Sequence, residues 1–518
     1  MTVPMSKTRA PEEVLPGLWR FEDTCNVYLL KSGEEAIAVD FGSGRWLRHL
    51  PALGVRRVTD VFLTHGHADQ CFGLLAKRAW PFAVRAPAGE ERFLAPEKVR
   101  ELRRLAARGT SFALNHSLLP RGIRAVACDL PDNREVYWQG LCLRVVSTPG
   151  HGPTAVSLIV EFHGKQVAFC GDAAYAGGTL WQPANLEWDH YRPIGAMEAW
   201  RGIRRLMSPG LDILCPSHGP VERSPRRCLQ LLDRRLQAFI RAKGAVCAGD
   251  RDHFVIPEPL PCGALRILPH LYRFGGNSYL LASKSGDTLV VDPYGGAEEL
   301  EALLKALGLR GPSAMLVSHC HLDHCGAIPW YRKRFGTRAV LHPIVEEALR
   351  KGRALHIPYL PDPALKLRAD ELWPWRGTWR WNEYAFRVAP WPGQTWWHCV
   401  FMTAIDGRKV LFGGDSFQPA SRWEGTGGFC AANNSRFREG YIPSARLALA
   451  WRPDILANGH QATFRFTASR FRRIIRWAQQ AERAVRALCP TGDLERDYYA
   501  LELDSRGAPG ARCSRKDN

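Results

Sequence analysis

Apolar positions along the chain follow two rhythms. Short aliphatic and β-branched runs, such as Ala36-Ile-Ala-Val39, Val167-Ala-Phe-Cys170 and Val410-Leu-Phe412, end in Asp or Gly and predict buried strands. Longer segments, around Pro225–Ala242 and Thr467–Leu488, repeat apolar residues at three- and four-residue spacing and predict amphipathic helices. Strands alternating with helices specify layered α/β domains.

The pattern also occurs twice. Gly17-Leu-Trp-Arg-Phe, Asn26-Val-Tyr-Leu-Leu and Ala36-Ile-Ala-Val-Asp40 are answered by His270-Leu-Tyr-Arg-Phe, Asn277-Ser-Tyr-Leu-Leu and Thr288-Leu-Val-Val-Asp292. A 518-residue chain exceeds the roughly 250–300 residues at which one core stops growing, so two domains are expected on length alone. The repeat makes them two copies of one fold, over residues 1–255 and 256–504, with 505–518 as a flexible tail.

Composition narrows the class. Hydrophobic residues make up 46% and charged residues 23%, and no apolar stretch reaches the ~18 residues of a membrane span, so a folded globular protein is expected. The 15 Cys include no C-x-x-C pair, and Met1 to Gly17 lacks the apolar segment of a signal peptide, which predicts a cytoplasmic setting with buried, reduced cysteines. The net charge of +19 rests on Arg residues spread along the chain. It points to an anionic small-molecule substrate and leaves nucleic acid as a less favoured partner. Oligomeric state is left open.

The chemistry lies where strands end. Val61-Phe-Leu-Thr-His65-Gly-His67-Ala-Asp69-Gln70 is matched by Met315-Leu-Val-Ser-His319-Cys-His321-Leu-Asp323-His324. Thr148-Pro-Gly-His151 is matched by Trp391-Pro-Gly-Gln394, Phe169-Cys-Gly-Asp172 by Phe412-Gly-Gly-Asp415, and Pro216-Ser-His218 by Asn458-Gly-His460. In H-x-H-x-D-H after a strand, a tight turn lets two imidazoles face one metal while the Asp and the next His face a second. Imidazole and carboxylate ligands without thiolate suit Zn, with Fe or Mn as alternatives.

This motif set resembles the metallo-β-lactamase superfamily, once per half of the chain. The resemblance implies two tandem αββα sandwiches and a two-metal site in each. In the first repeat it implies His65, His67 and His151 for metal one, Asp69 and His218 for metal two, and Asp172 as the bridge. In the second it implies His319 and His321 for metal one, Asp323, His324 and His460 for metal two, and Asp415 as the bridge. Gln70 and Gln394 replace a usual His. An amide oxygen is a weaker ligand than imidazole for Zn²⁺, so the first repeat should hold metal one better and the second metal two. In an extended strand His398 would lie about 13 Å from Gln394, and only a turn at Trp396-Trp397 would bring it to that position.

The metals lower the pKa of water toward about 7, and Asp69 and Asp323 serve as the catalytic orienters or proton acceptors for it. Asp40 and Asp292 are candidate hydrogen-bond partners of ligand histidines. Cys71 and Cys325 are read as packing residues. Glu187 to Tyr191 and Trp423 to Gly428 are candidate substrate loops. The expected activity is metal-dependent hydrolysis of a small anionic ester, thioester or lactone. In this hydrolase one or both sites are active, a degenerate second site being allowed for; the alternatives are a nuclease of the superfamily acting on RNA or DNA and a mononuclear-iron oxidoreductase of the persulfide-dioxygenase type.

Overall fold

The structure is a computed structural model. It describes residues 10–76, 79–107, 122–188, 192–208, 210–244, 253–351, 366–417, 429–431, 435–460 and 463–499. The chain forms two compact units, Met1–Arg241 with Arg483–Asn518, and Ala242–Glu482. This differs from a single cut near residue 255, because residues 483–499 group with the first unit. Within that unit the Leu180 amide donates to the Leu488 carbonyl at 2.8 Å, and the Tyr498 hydroxyl donates to buried Glu187. The Asp189-His-Tyr191 part of one candidate loop, all of the Trp423–Gly428 loop and the 505–518 tail lie outside the described residues.

In the first unit one sheet runs in chain order through β1 (Glu12–Leu15), β2 (Leu18–Glu22), β3 (Asn26–Ser32), β4 (Glu35–Val39), β5 (Arg57–Phe62), β6 (Ala83–Pro87) and β7 (Ala127–Leu130). The first four strands are antiparallel, and β4 to β7 pair in parallel. The second sheet contains β8 (Glu135–Trp138), β9 (Leu141–Ser147), β10 (Val156–Phe162), β11 (Lys165–Gly171) and β12 (Ile213–Pro216), with β11 and β12 parallel.

Strand alternation divides the burial. Tyr28, Leu30, Ile37, Val39 and Phe62 of the first sheet share one core with Leu143, Val145, Leu158, Val160 and Phe169 of the second. Their neighbours Val27, Leu29, Ala36, Ala38 and Val61 point to the opposite face and pack with Trp46, Cys71, Leu74 and Leu94 from the helical segments. Because side chains alternate across a strand, a sheet apolar on both faces must be covered on both. The helix Ile194–Met207 buries Ala196, Ala199, Ile203 and Leu206 along one stripe beside β9. The layers are therefore helix, sheet, sheet, helix.

The second unit repeats this plan. Its first sheet is β13 (Glu258–Pro259), β14 (Leu265–Leu268), β15 (Leu271–Phe274), β16 (Ser278–Ala282), β17 (Thr288–Val291), β18 (Pro312–Leu316), β19 (Arg338–Leu341) and β20 (Glu371–Leu372). Its second is β21 (Gly377–Trp381), β22 (Tyr384–Pro390), β23 (Cys399–Ile405), β24 (Arg408–Gly414), β25 (Ile455–Asn458) and β26 (Thr463–Arg465). The switch from antiparallel to parallel pairing falls at the equivalent strand, between β17 and β18. Among the described residues no helix is long and apolar enough to cross a membrane.

Candidate metal centres

In both units the motifs sit just past the carboxyl ends of strands, where open α/β sheets gather ligands. β5 delivers His65, β9 the Thr148–His151 turn, β11 Asp172 and β12 His218; β18, β22, β24 and β25 do the same for His319, Gln394, Asp415 and His460.

A left-handed glycine closes β11 and β24. Gly414 has φ 51°, and a Cβ there would lie 2.8 Å from His398 Nε2 and against the Ser318 hydroxyl. Gly414→Ala is therefore expected to cost about 1–3 kcal/mol, read as a lower melting temperature of the second unit.

In the first repeat His65 Nε2 lies 3.1 Å from His67 Nδ1, and His67 Nδ1 lies 3.1 Å from His151 Nε2. Asp172 Oδ2 is 3.6 Å from His65 Nε2 and 3.5 Å from His151 Nε2, and it accepts a 3.3 Å hydrogen bond from Gln70 Nε2. On the metal-two side His218 lies between two carboxylates, with Nδ1 2.8 Å from Asp172 Oδ1 and Nε2 3.2 Å from Asp69 Oδ2. The donor atoms form two groups, His65 with His67 and His151, and Asp69 with Asp172 and His218; within each they lie within 4.8 Å of one another.

The second repeat groups differently. Asp323, His324, Asp415 and His460 form one four-membered set, and His319, His321 and Asp415 form another. His460 Nε2 is 3.1 Å from Asp415 Oδ2 and 3.4 Å from Asp323 Oδ2, and His324 Nε2 is 3.1 Å from Asp415 Oδ1. Gln394 donates to Asp415 Oδ2 at 3.4 Å. All twelve ligand candidates named from the sequence thus converge, six in each unit.

The residues fit a divalent ion. The buried Nε2 atoms of His319 and His321 have no hydrogen-bond partner among the described residues. Burial holds His65, His67 and His151 below the ordinary imidazole range, His67 at about 3, so each keeps a free lone pair to offer a metal. His218 is the opposite case. Burial disfavours its charge, but Asp172 and Asp69 overcome this and raise it to about 10.

A match to the metallo-beta-lactamase superfamily covers residues 20–218 and 271–460, more than half of the chain and once in each unit. The chain belongs to this superfamily. It is 26% identical over 226 residues to the atrochrysone carboxyl ACP thioesterase of Aspergillus fumigatus, covering 42% of this chain and 58% of that one. It is 31% identical over 138 residues to the hydroxyacylglutathione hydrolase of Hamiltonella defensa, covering 27% and 46%. The chain thus spans less than two thirds of the length of either relative. Among solved structures, a metallo-beta-lactamase family protein from Thermus thermophilus is 24% identical, with 44% of this chain and 82% of that one covered and a TM-score of 0.34.

Within this superfamily frame the two repeats support their ligands differently. In the second, Asp292 accepts from the Ser318 amide at 2.7 Å and the Ser318 hydroxyl at 2.8 Å, and pairs with His324 Nδ1 at 3.0 Å. In the first, Asp40 holds the Thr64 amide and hydroxyl and the Ser217 hydroxyl, with no imidazole among the described residues. Burial raises the Asp40 carboxyl to about 7. Asp292→Asn is expected to weaken the metal-two position of the second repeat by about 10–100-fold in metal titrations. Asp40→Asn, which touches no histidine among the described residues, should leave metal titration of the first repeat unchanged.

His398 lies beside the centre. The segment from Trp391 to His398 folds back, with the Trp391 amide donating to the His398 carbonyl at 2.8 Å, so the turn required for His398 to return exists. Its ring stacks on His319 at a centroid separation of 4.7 Å, yet it belongs to neither ligand group. Cys71 and Cys325 are buried, and their thiols donate to the His67 and His321 carbonyls at 3.0 and 3.2 Å, which makes them packing residues behind the loop. Trp188 donates to the Gly150 carbonyl at 3.0 Å and so braces the Pro-Gly-His turn.

Four further residues, Trp181, Asn185, Glu90 and Asn277, touch the motifs without having been singled out as site residues from the sequence. Trp181 stacks on His218 at 4.4 Å, and Asn185 Nδ2 lies 3.4 Å from His151 Nε2. Glu90, whose carboxyl burial raises to about 7, accepts from the Gly66 amide between the two histidines. Asn277 accepts from the His460 amide at 2.6 Å and donates to the Asp323 side chain at 3.3 Å. Only Asn277 left a trace in the sequence, as part of the repeated Asn-x-Tyr-Leu-Leu.

Proposed function

We propose that the chain is a metal-dependent hydrolase of a small anionic thioester or ester, with one firmly held ion in each repeat. The observation that supports this reading is the unequal make-up of the paired donor groups: in the first repeat three imidazoles stand together while the other group is Asp69, Asp172 and His218, and in the second the four donors Asp323, His324, Asp415 and His460 stand together while the other group is His319, His321 and Asp415. The thioesterase and the hydroxyacylglutathione hydrolase among its relatives favour acyl substrates over phosphodiesters. Zinc is the proposed ion.

A divalent ion there supplies Lewis acidity and a lowered water pKa. Asp69 and Asp323 are the proposed catalytic residues: their carboxylates sit at the open side of each centre, 13% and 35% exposed, and orient water or accept its proton. Asp172 and Asp415, nearly fully buried, hold the histidines in register. Trp181 and Asn185, against His218 and His151, are placed to touch the substrate in the first repeat.

A second reading rests on one observation. Asp172 Oδ2 approaches both His65 and His151, a two-histidine, one-carboxylate arrangement that also suits mononuclear iron. The zinc-loaded full chain, assayed on thioesters, carboxylic esters, lactones and phosphodiesters, should hydrolyse the acyl substrates, lose this activity with chelator and regain it with zinc. Cleavage of phosphodiesters alone would shift the assignment to a nuclease, and iron content with oxygen uptake would shift it to the oxidoreductase.

A further inference from the structure

The two repeats are natural variants of one another, and their metal-two sides differ at a coupled pair of positions. The second has His324 and Gly459; the first has Gln70 and Ser217. In the second, the inner carboxylate Asp292 presents Oδ2 to His324 Nδ1 at 3.0 Å and so orients that ring. In the first, the equivalent oxygen of Asp40 takes the Ser217 hydroxyl at 2.6 Å, and Gln70 turns its amide nitrogen to Asp172. The serine therefore makes the hydrogen bond that the histidine makes in the other copy.

Space couples the positions as well. A Cβ at Gly459 would lie 2.5 Å from His324 Cε1 and 3.2 Å from its Nε2, and would press on Asp415 Oδ1. A side chain at this point and a histidine opposite compete for one volume. The last ligand follows the change. His218 has each ring nitrogen against a different carboxylate and lies flat on Trp181, whereas His460 turns one nitrogen, Nε2, toward both Asp415 and Asp323. His460 also has a left-handed backbone at φ 53°, while in the first repeat the left-handed residue is Gly219 at φ 81°.

We infer that Ser217 and Gln70 act as a unit that leaves the Asp69, Asp172 and His218 group one imidazole short and so fixes the first repeat as a one-metal centre, with Ser217 the residue that blocks restoration of the second metal. The loss of the metal-two histidine is then a built exchange of partners at Asp40, and reversing it takes both positions. Ser217 is a positioning residue that sets metal number, and it acts through Asp40 without touching an ion. The inference rests on the proposed ion at His65, His67 and His151.

The test uses the full chain, zinc-loaded, with metal content and thermal melting as readouts. Wild type, Q70H, S217G and Q70H/S217G are compared. The double variant is expected to carry one more zinc per chain than wild type, and Q70H alone the same number as wild type. In the zinc-free chains each single variant should melt lower by roughly 2–4 °C, through a lost Asp40 hydrogen bond or a crowded ring, and the double should melt above the lower single. Q70H alone gaining the extra ion would overturn the inference. So would a double variant that gains none, or one that melts below both singles or fails to fold. A zinc-loaded wild type that holds no ion in the first repeat would instead overturn the underlying functional reading.

Discussion

Asp415→Ala is expected to remove every firmly bound metal from the second repeat and to destabilise that unit by about 3–5 kcal/mol, while the first repeat keeps its ion. Asp415 belongs to both donor groups of its repeat and lies within 3.1 Å of nitrogens of His324 and His460. Burial disfavours its charge, but these histidines hold its carboxyl well below the usual carboxylate range. His324 is raised well above the ordinary imidazole range, against its burial, by Asp415, Asp323 and Asp292. Alanine would leave these imidazoles buried without their principal counter-charge.

The sign of the pH dependence follows in the metal-free chain. A depressed carboxyl contributes stability above its unfolded value near 3.9, and this contribution is lost as pH falls through its folded value. A raised histidine contributes below its unfolded value near 6.5, and this is lost as pH rises through its folded value. The pair contributes fully between about pH 4 and 6.5, so the stability difference between wild type and Asp415→Ala should be largest there. Chemical denaturation across pH measures it, and a difference that is constant with pH would contradict the account.

His151→Ala is expected to lose the ion of the first repeat and to lower that repeat's hydrolytic rate by on the order of 10³-fold, equivalent to about 4 kcal/mol of lost activation. The fold should survive. Burial keeps His151 below the ordinary imidazole range, so its removal leaves no buried charge unpaired, in contrast to Asp415. His151→Gln copies what the second repeat carries at Gln394, and it should also release the ion, because an amide oxygen is a weaker ligand than imidazole. Metal content with kcat separates this from unfolding: the ion and the rate should fall together while the melting temperature of the metal-free chain barely moves.

Much of this was legible in the sequence because the repeat carries its own control. The strand-ending motifs picked out twelve residues that the structure gathers into four groups, and the Gln replacements announced that the repeats are not equivalent. The continuous apolar runs Val27–Leu30 and Ala36–Val39 read as buried strands, and the structure covers both faces of their sheet. What the sequence hid depends on distance along the chain. Asp40 bonds Ser217, Trp181 stacks on His218 and Asn185 reaches His151, and none of these pairs has a spacing rule. The return of His398 to His319 depended on backbone bends at 393–397, which β-like alternation does not announce. The place of residues 483–499 in the first unit was hidden for a similar reason. The helix Ala468–Leu488 has one continuous apolar stripe, and helical period alone does not show that its residues divide between the two units.

The central claim is that one firmly held ion sits in each repeat, on opposite sides of the two-metal plan. Metal content of the full chain after zinc loading and removal of loosely bound ions tests it most directly, for wild type, His65→Ala and His324→Ala. Two zinc ions per chain are predicted in wild type and one in each variant. Four ions in wild type, none, or a variant that keeps both would contradict it.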